Sequence, residues 1–151
     1  MLHVDTGVAG EYEFGTVEGA DGPVVVDGNV VTYPIAAAPS IVYDGMLDGT
    51  TLWMEQAVID APGWLVIHAD NGEGSFGAVI GQAQVYPGVN TQIPITLTEE
   101  SMTEALYPML HYDTGEAGEY EFGSVDGADL PVTVNGNVVF APMNPTMMEM
   151  E

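Results

Sequence analysis

The chain has 151 residues, 46% of them hydrophobic, with 23 acidic residues, three His, no Cys and neither Lys nor Arg, for a formal net charge of −23. The apolar share supports a packed core, while the missing cations exclude nucleic acid and anionic membrane surfaces as partners, because nothing can neutralise a phosphate. Ordinary salt bridges, disulfides and Lys–Asn cross-links are excluded as well, so the carboxylates must be solvated, protonated or bridged by metal ions. A chain without Lys or Arg also offers trypsin-like proteases nothing to cut, which suits exposure outside a cell.

Residues Met1–Ile35 return as Met109–Met143, identical at 25 of 35 positions with a constant offset of 108. A fixed period of this kind marks a tandem array. On that period residues 1–35 form a partial repeat, 36–39 a linker, 40–143 a complete unit and 144–151 a tail. Met1 aligns with Met109 inside a strand-like run and so reads as an ordinary repeat residue. The start lacks the charged and apolar regions of a signal peptide, and no apolar run approaches the ~18 residues of a membrane span.

Short β-rich runs separated by turn residues predict an all-β fold, an Ig-like or cupredoxin-like antiparallel β-sandwich. In the complete unit, strands are expected at Ser40–Tyr43, Thr51–Ile59, Trp64–Ala69, Ala78–Val85, Thr91–Leu97, Ala105–Tyr112, Glu119–Phe122, Val132–Val134 and Val138–Ala141. Trp64–Ile67 is continuously apolar, as in a central strand. Ile93, Ile95 and Leu97 alternate with polar residues and Pro, and Pro94 points to an edge or a bulge. Asp60–Gly63 and Tyr86–Val89 carry the Pro-Gly chemistry of tight turns. Asn135-Gly136 and Asp27-Gly28 are hairpin signals. Thr98–Ala105 is a short acidic turn at best.

The runs Gly63-Trp-Leu-Val-Ile-His-Ala69, Gly77-Ala-Val-Ile-Gly81 and Met109-Leu-His-x-Asp-x-Gly, the last followed by Gly-Glu-Tyr-Glu-Phe, occur here in that order. Together they resemble an uncharacterised family of β-sandwich domains, often in tandem, from secreted and surface-anchored proteins of archaea and bacteria. The resemblance covers Ser40–Met143, and Met1–Ile35 resembles the family's C-terminal third. It implies a fold and an extracellular, cell-surface location, and no catalytic residues.

Three sites are candidates. The acidic loop after each repeated His offers Asp113, Glu116, Glu119, Glu121, Asp126 and Asp129, and in the partial copy Asp5, Glu11, Glu13, Glu18 and Asp21. Calcium takes six to eight oxygens from such Gly-rich loops; the plainer interpretation is a solvated acidic face. Secondly, His68 and His111 on neighbouring strands, joined by Asp113 or Met109, have the makings of a copper or zinc site. Cupredoxin-like sites usually also need a Cys, and a His at a strand end more often bonds a carboxylate or carbonyl. Thirdly, hydrolysis needs a paired-acid or Ser–His arrangement; no carboxylate pair stands out, and Ser75 is not in a nucleophile elbow. The chain is therefore not expected to be an enzyme. Trp53, Trp64, Tyr12, Phe14, Tyr120 and Phe122 are expected to anchor cores.

The sequence accordingly points to a structural extracellular repeat that forms a surface fibre, stalk or layer, with calcium as the one expected cofactor. Its partners are expected to be copies of itself or neighbouring repeats. Met1–Ile35 holds a domain's closing strands without earlier strands to pair with, so His3, Tyr12, Phe14, Val24, Val26, Val30 and Val31 are the expected assembly residues, through strand complementation. The alternative is an adhesion module that binds glycans or proteins through its loops. The Met-rich tail reads either as a disordered end or as a donor segment for a neighbour.

Overall fold

A computed structural model describes residues 1–31 and 39–148. The chain falls into two compact units, Met1–Ile35 and Ala36–Glu151. In the first, Val25–Val26 (β1) and Asn29–Val30 (β2) form a hairpin. Asp27 and Gly28 turn it at φ 50° and 80°, the left-handed pair that a tight two-residue hairpin demands. The first residues lie beside it: Leu2 N–H donates to the Val31 carbonyl at 3.1 Å, and Val24 N–H to the Leu2 carbonyl at 2.9 Å. Little else covers this unit, and Met1, Leu2, Val4, Tyr12, Phe14, Val26 and Val30 are all exposed.

The second unit is a β-sandwich. One sheet contains Ser40–Asp48 (β3), Thr51–Ile59 (β4) and Gly88–Thr96 (β7); the other contains Gly63–Asp70 (β5), Phe76–Val85 (β6) and Leu106–Tyr112 (β8). Thr133–Val134 (β9) and Asn137–Val138 (β10) form a hairpin of their own, and Thr146–Met147 (β11) adds a parallel edge to β3. The sheet orders are β11-β3-β4-β7 and β6-β5-β8. Between them lie Leu52, Met54 and Ile59 of β4, Leu65 and Ile67 of β5, Ile93 and Ile95 of β7, and Leu106 and Leu110 of β8. Burial of such side chains contributes about 1.5–3 kcal/mol apiece. Gly63 sits where β5 enters the sheet, and a Cβ there would strike the His111 carbonyl oxygen and Ile59.

Most of the expected strands are present, several of them longer. Thr51–Ile59 has the expected bounds, Ser40–Tyr43 extends to Asp48, and β5 is the central, buried strand of its sheet. Pro94 lies on β7, at a sheet edge where its missing N–H costs no ladder bond. Glu99–Ser101 forms one 3-10 turn. Glu119–Phe122 is no strand. Its alternation belongs to a folded loop in which the Ser124 and Val125 amides donate to the Glu121 carbonyl at 2.9 and 3.0 Å. The tail is stitched to its own domain up to Met148, whose N–H donates to the Leu47 carbonyl at 2.9 Å. Residues 149–151 and most of the expected linker at 36–39 lie outside the described residues.

Candidate functional site

Strand alternation gives the β6-β5-β8 sheet two faces. Leu65, Ile67, Leu106 and Leu110 enter the sandwich core. Trp64, Val66 and His68 of β5, with Tyr107, Met109 and His111 of β8, occupy the opposite face, and all six are buried. What buries them is the chain from Asp113 to Met143, a flap laid back over its own sheet. Its return is fixed by isolated bridges His111↔Pro131, Met109↔Phe140 and Leu106↔Met143. Aromatic rings enclose this face: from the flap Tyr120 against Trp64 at 5.6 Å between ring centres and Phe122 against His111 at 4.7 Å, and from β6 Phe76 against His68 at 5.5 Å.

The flap is latched by acids. Asp129 is fully buried; its Oδ1 accepts the Thr114 N–H at 2.8 Å and its Oδ2 the Glu121 N–H at 2.6 Å. Thr114 Oγ1 in return accepts the Asp129 N–H at 2.8 Å. Glu121 Oε2 takes the Glu116 N–H at 2.7 Å, and Asp113 takes the Gly118 N–H at 2.9 Å. The same bonds recur 108 residues earlier. Asp21 accepts from Thr6 at 2.9 Å and from Glu13 at 2.5 Å, Glu13 from Val8 at 2.7 Å, and Asp5 from Gly10 at 3.1 Å. In a chain without cations, backbone N–H groups take the role that ion pairs would otherwise have, and amides donating to the Asp21 carboxylate lower its pKa. Gly115 and Gly7 sit at φ 100° and 101° with the Glu121 and Glu13 carboxylates against them, so no side chain fits there.

This placement bears on the candidate calcium ligands. Asp5, Asp21, Asp113 and Asp129 point at amides rather than at a common centre. Glu11, Glu116, Glu119 and Asp126 are exposed. Among the described residues, no group of three or more His, Asp or Glu is placed to hold a metal ion. Tyr12 and Phe14, expected as core residues, are 71% and 48% exposed, whereas their counterparts Tyr120 and Phe122 sit against the β5–β8 face.

The two histidines do meet. Their ring centres are 6.1 Å apart with planes tilted by 31°. His68 Nδ1 lies 2.8 Å from the Gly77 carbonyl and His111 Nδ1 2.6 Å from the Asp129 carbonyl. A carbonyl only accepts, so each Nδ1 carries the proton and each Nε2 keeps its lone pair. Both Nε2 atoms are buried without a partner, as is the indole Nε1 of Trp64. Burial lowers both imidazole pKa values, that of His111 to about 4, and raises that of the Tyr120 phenol. Sequence reasoning placed the histidines on adjacent strands but missed Trp64 as an unsatisfied donor and Asp129 as a buried latch. A signal for the latch was present: Thr, Glu and Asp stand at the same three places in both copies, as Thr6, Glu13, Asp21 and Thr114, Glu121, Asp129.

Among relatives, the chain is 31% identical over 147 residues to "Cell surface glycoprotein 1" of Haloarcula hispanica, a match covering 95% of this chain and 14% of that protein. It is 30% identical over 125 residues to "Cell surface glycoprotein 2" of the same organism, covering 80% of this chain and 12% of that protein. The chain thus spans only about a seventh of the length of these curated relatives. No solved structure matches. The family model described as "Domain of unknown function (DUF7282)" matches residues 40–146, which run from β3 through the flap to β11. The chain therefore belongs to the DUF7282 family.

Proposed function

We propose that this chain is a structural repeat of a cell-surface protein, a sandwich built to be joined end to end, in which Met1–Val31 is the closing flap of another repeat's sheet. The surface location rests on the two cell surface glycoproteins to which the chain is similar. The joining rests on one observation. The first unit has a hollow lined by His3, Asp5, Gly10, Tyr12 and Asp21. In the second unit the equivalent residues meet the sandwich body: Tyr120 packs on Trp64, His111 pairs with Trp64 across the strands, and Asp113 accepts from Gln84 Nε2 at 3.4 Å. The hollow is therefore the imprint of a Trp64 and a Gln84, and its occupant is the β5–β6 body of a further repeat. Leu2 and Val4, exposed here, correspond to Leu110 and Tyr112, which are paired to β5. The sandwich of residues 40–148 already holds its own flap, so a second copy accepts Met1–Val31 only by exchanging flaps.

The test is a fusion that places residues 40–108 ahead of Met1. Slowed amide exchange at Leu2, Val4 and Val24, and a Tyr12 ring shielded from solvent, are the expected results. Exchange as fast as in the 151-residue chain would overturn this assignment of the flap. Mixing the 151-residue chain with itself at high salt gives the other arm: dimers formed through exchanged flaps would mean that the joint is made between polypeptides rather than along one.

A further inference from the structure

We propose that His68 and His111 form a binding site for one soft, low-coordinate metal ion, copper(I), held between their Nε2 atoms with the Met109 thioether as the third available ligand. The register carries the first step. His68 lies opposite Tyr107 and His111 opposite Trp64, so the two backbones are four strand positions apart, roughly 13 Å. Their ring centres are nevertheless only 6.1 Å apart. Each imidazole therefore leans along the sheet toward the other, across the Val66–Met109 pair that lies between them on the same face.

The second step is the state of the nitrogens. Both Nδ1–H groups are fixed on backbone carbonyls, which leaves both Nε2 lone pairs free, buried and without a partner. An imidazole held by its second nitrogen in this way has the outer-shell arrangement typical of a metal-bound His. A ring centre sits ~1.1 Å behind Nε2, so an ion ~2.0 Å from two such nitrogens in a near-linear bridge sets the centres ~6.2 Å apart. The observed spacing meets that value.

The third step is selection. Calcium and magnesium need oxygen ligands, and none is offered. Zinc wants four ligands from Cys, His or carboxylate, and no third such group converges among the described residues. Two imidazoles with Met109 at the register position between them on the same face, enclosed by Phe76, Tyr120 and Phe122, suit copper(I), which tolerates few ligands and favours soft ones. The competing occupant is a buried water donating to both nitrogens.

The experiment uses the full chain carrying His3→Gln, so that the exposed imidazole does not compete. Copper(I) is titrated anaerobically against a chromophoric chelator while the imidazole 15N signals are followed. One equivalent should bind, moving both Nε2 resonances and leaving both Nδ1 protons in place. Met109→Leu keeps the packing and should weaken binding about tenfold; His68→Gln should weaken it at least a hundredfold. Silver(I) should compete, and calcium should not. Nε2 resonances that stay unmoved at saturating copper(I), or a bound water that persists between the rings, would overturn the site. So would equal affinity in the folded His68→Gln protein; if that variant fails to fold, the Nε2 shifts in the parent chain decide alone.

Discussion

At the scale of single residues, the chain handles charge without cations by aiming buried carboxylates at its own amides. Asp129 accepts two backbone N–H groups at 2.6 and 2.8 Å in a fully buried position. Asp129→Ala should therefore lower unfolding free energy by about 2–4 kcal/mol in urea titration, because two charge-assisted bonds vanish and two donors are left dry. Asp21→Ala, in the exposed copy, should leave that main transition where it is. His111 supplies a pH dependence in metal-free protein. Burial holds its pKa at about 4, against the ordinary 6.5. Between those values the unfolded chain binds more protons, so this contribution is complete above about pH 6.5 and drains away as the pH falls toward 4. Unfolding at pH 5.5 should cost about 1 kcal/mol less than at pH 7.5 on this account, with His68 acting in the same direction. Stability that is flat across that interval in high salt and chelator would show that the imidazoles are not desolvated.

At the scale of elements, the two copies of one sequence have different surroundings. Tyr120 packs on Trp64, whereas Tyr12 is 71% exposed. Tyr120→Ala should cost about 2–4 kcal/mol, and Tyr12→Ala less than about 0.5 kcal/mol, as read from paired denaturation curves of the 151-residue chain. Gly63→Ala should cost at least ~3 kcal/mol, because its Cβ would meet the His111 carbonyl across the β5–β8 ladder. The strands themselves were legible in the sequence. Thr51–Ile59, the buried run of β5 and the edge position of Pro94 follow from period, apolarity and a missing donor. Glu119–Phe122 was not legible, because alternating Glu and aromatic residues satisfy a strand pattern while the latch to Asp129 bends them into a turn. The pairing of His68 with His111 was legible as a candidate from their neighbouring strands, but the 6.1 Å approach of the rings depends on how far two side chains lean along a sheet, and periodicity carries no such information.

At the scale of the molecule, a net charge of −23 spread over 151 residues repels itself. Screening shortens that repulsion, with a Debye length of about 10 Å at 0.1 M salt and 3 Å at 1 M. The thermal midpoint should rise steadily with added sodium or potassium chloride and level off at molar concentrations. A midpoint indifferent to salt would mean that the acidic face is already neutralised by other means, and a rise specific to divalent ions would point to bridging instead. No helix among the described residues is long and apolar enough to cross a membrane.

The order in which the flap arrives has a further consequence. In every repeat built this way the outer face of the central sheet is made before its cover, because Gly63–Asp70 precedes Asp113–Met143 in the chain. A polypeptide leaving a ribosome or a membrane pore therefore presents Trp64, His68 and Met109 to its surroundings until roughly thirty more residues have followed, a matter of seconds at ordinary synthesis rates. Each unit closes only when its own flap has emerged. The interval before each closure is when the buried face is open to whatever it is to enclose.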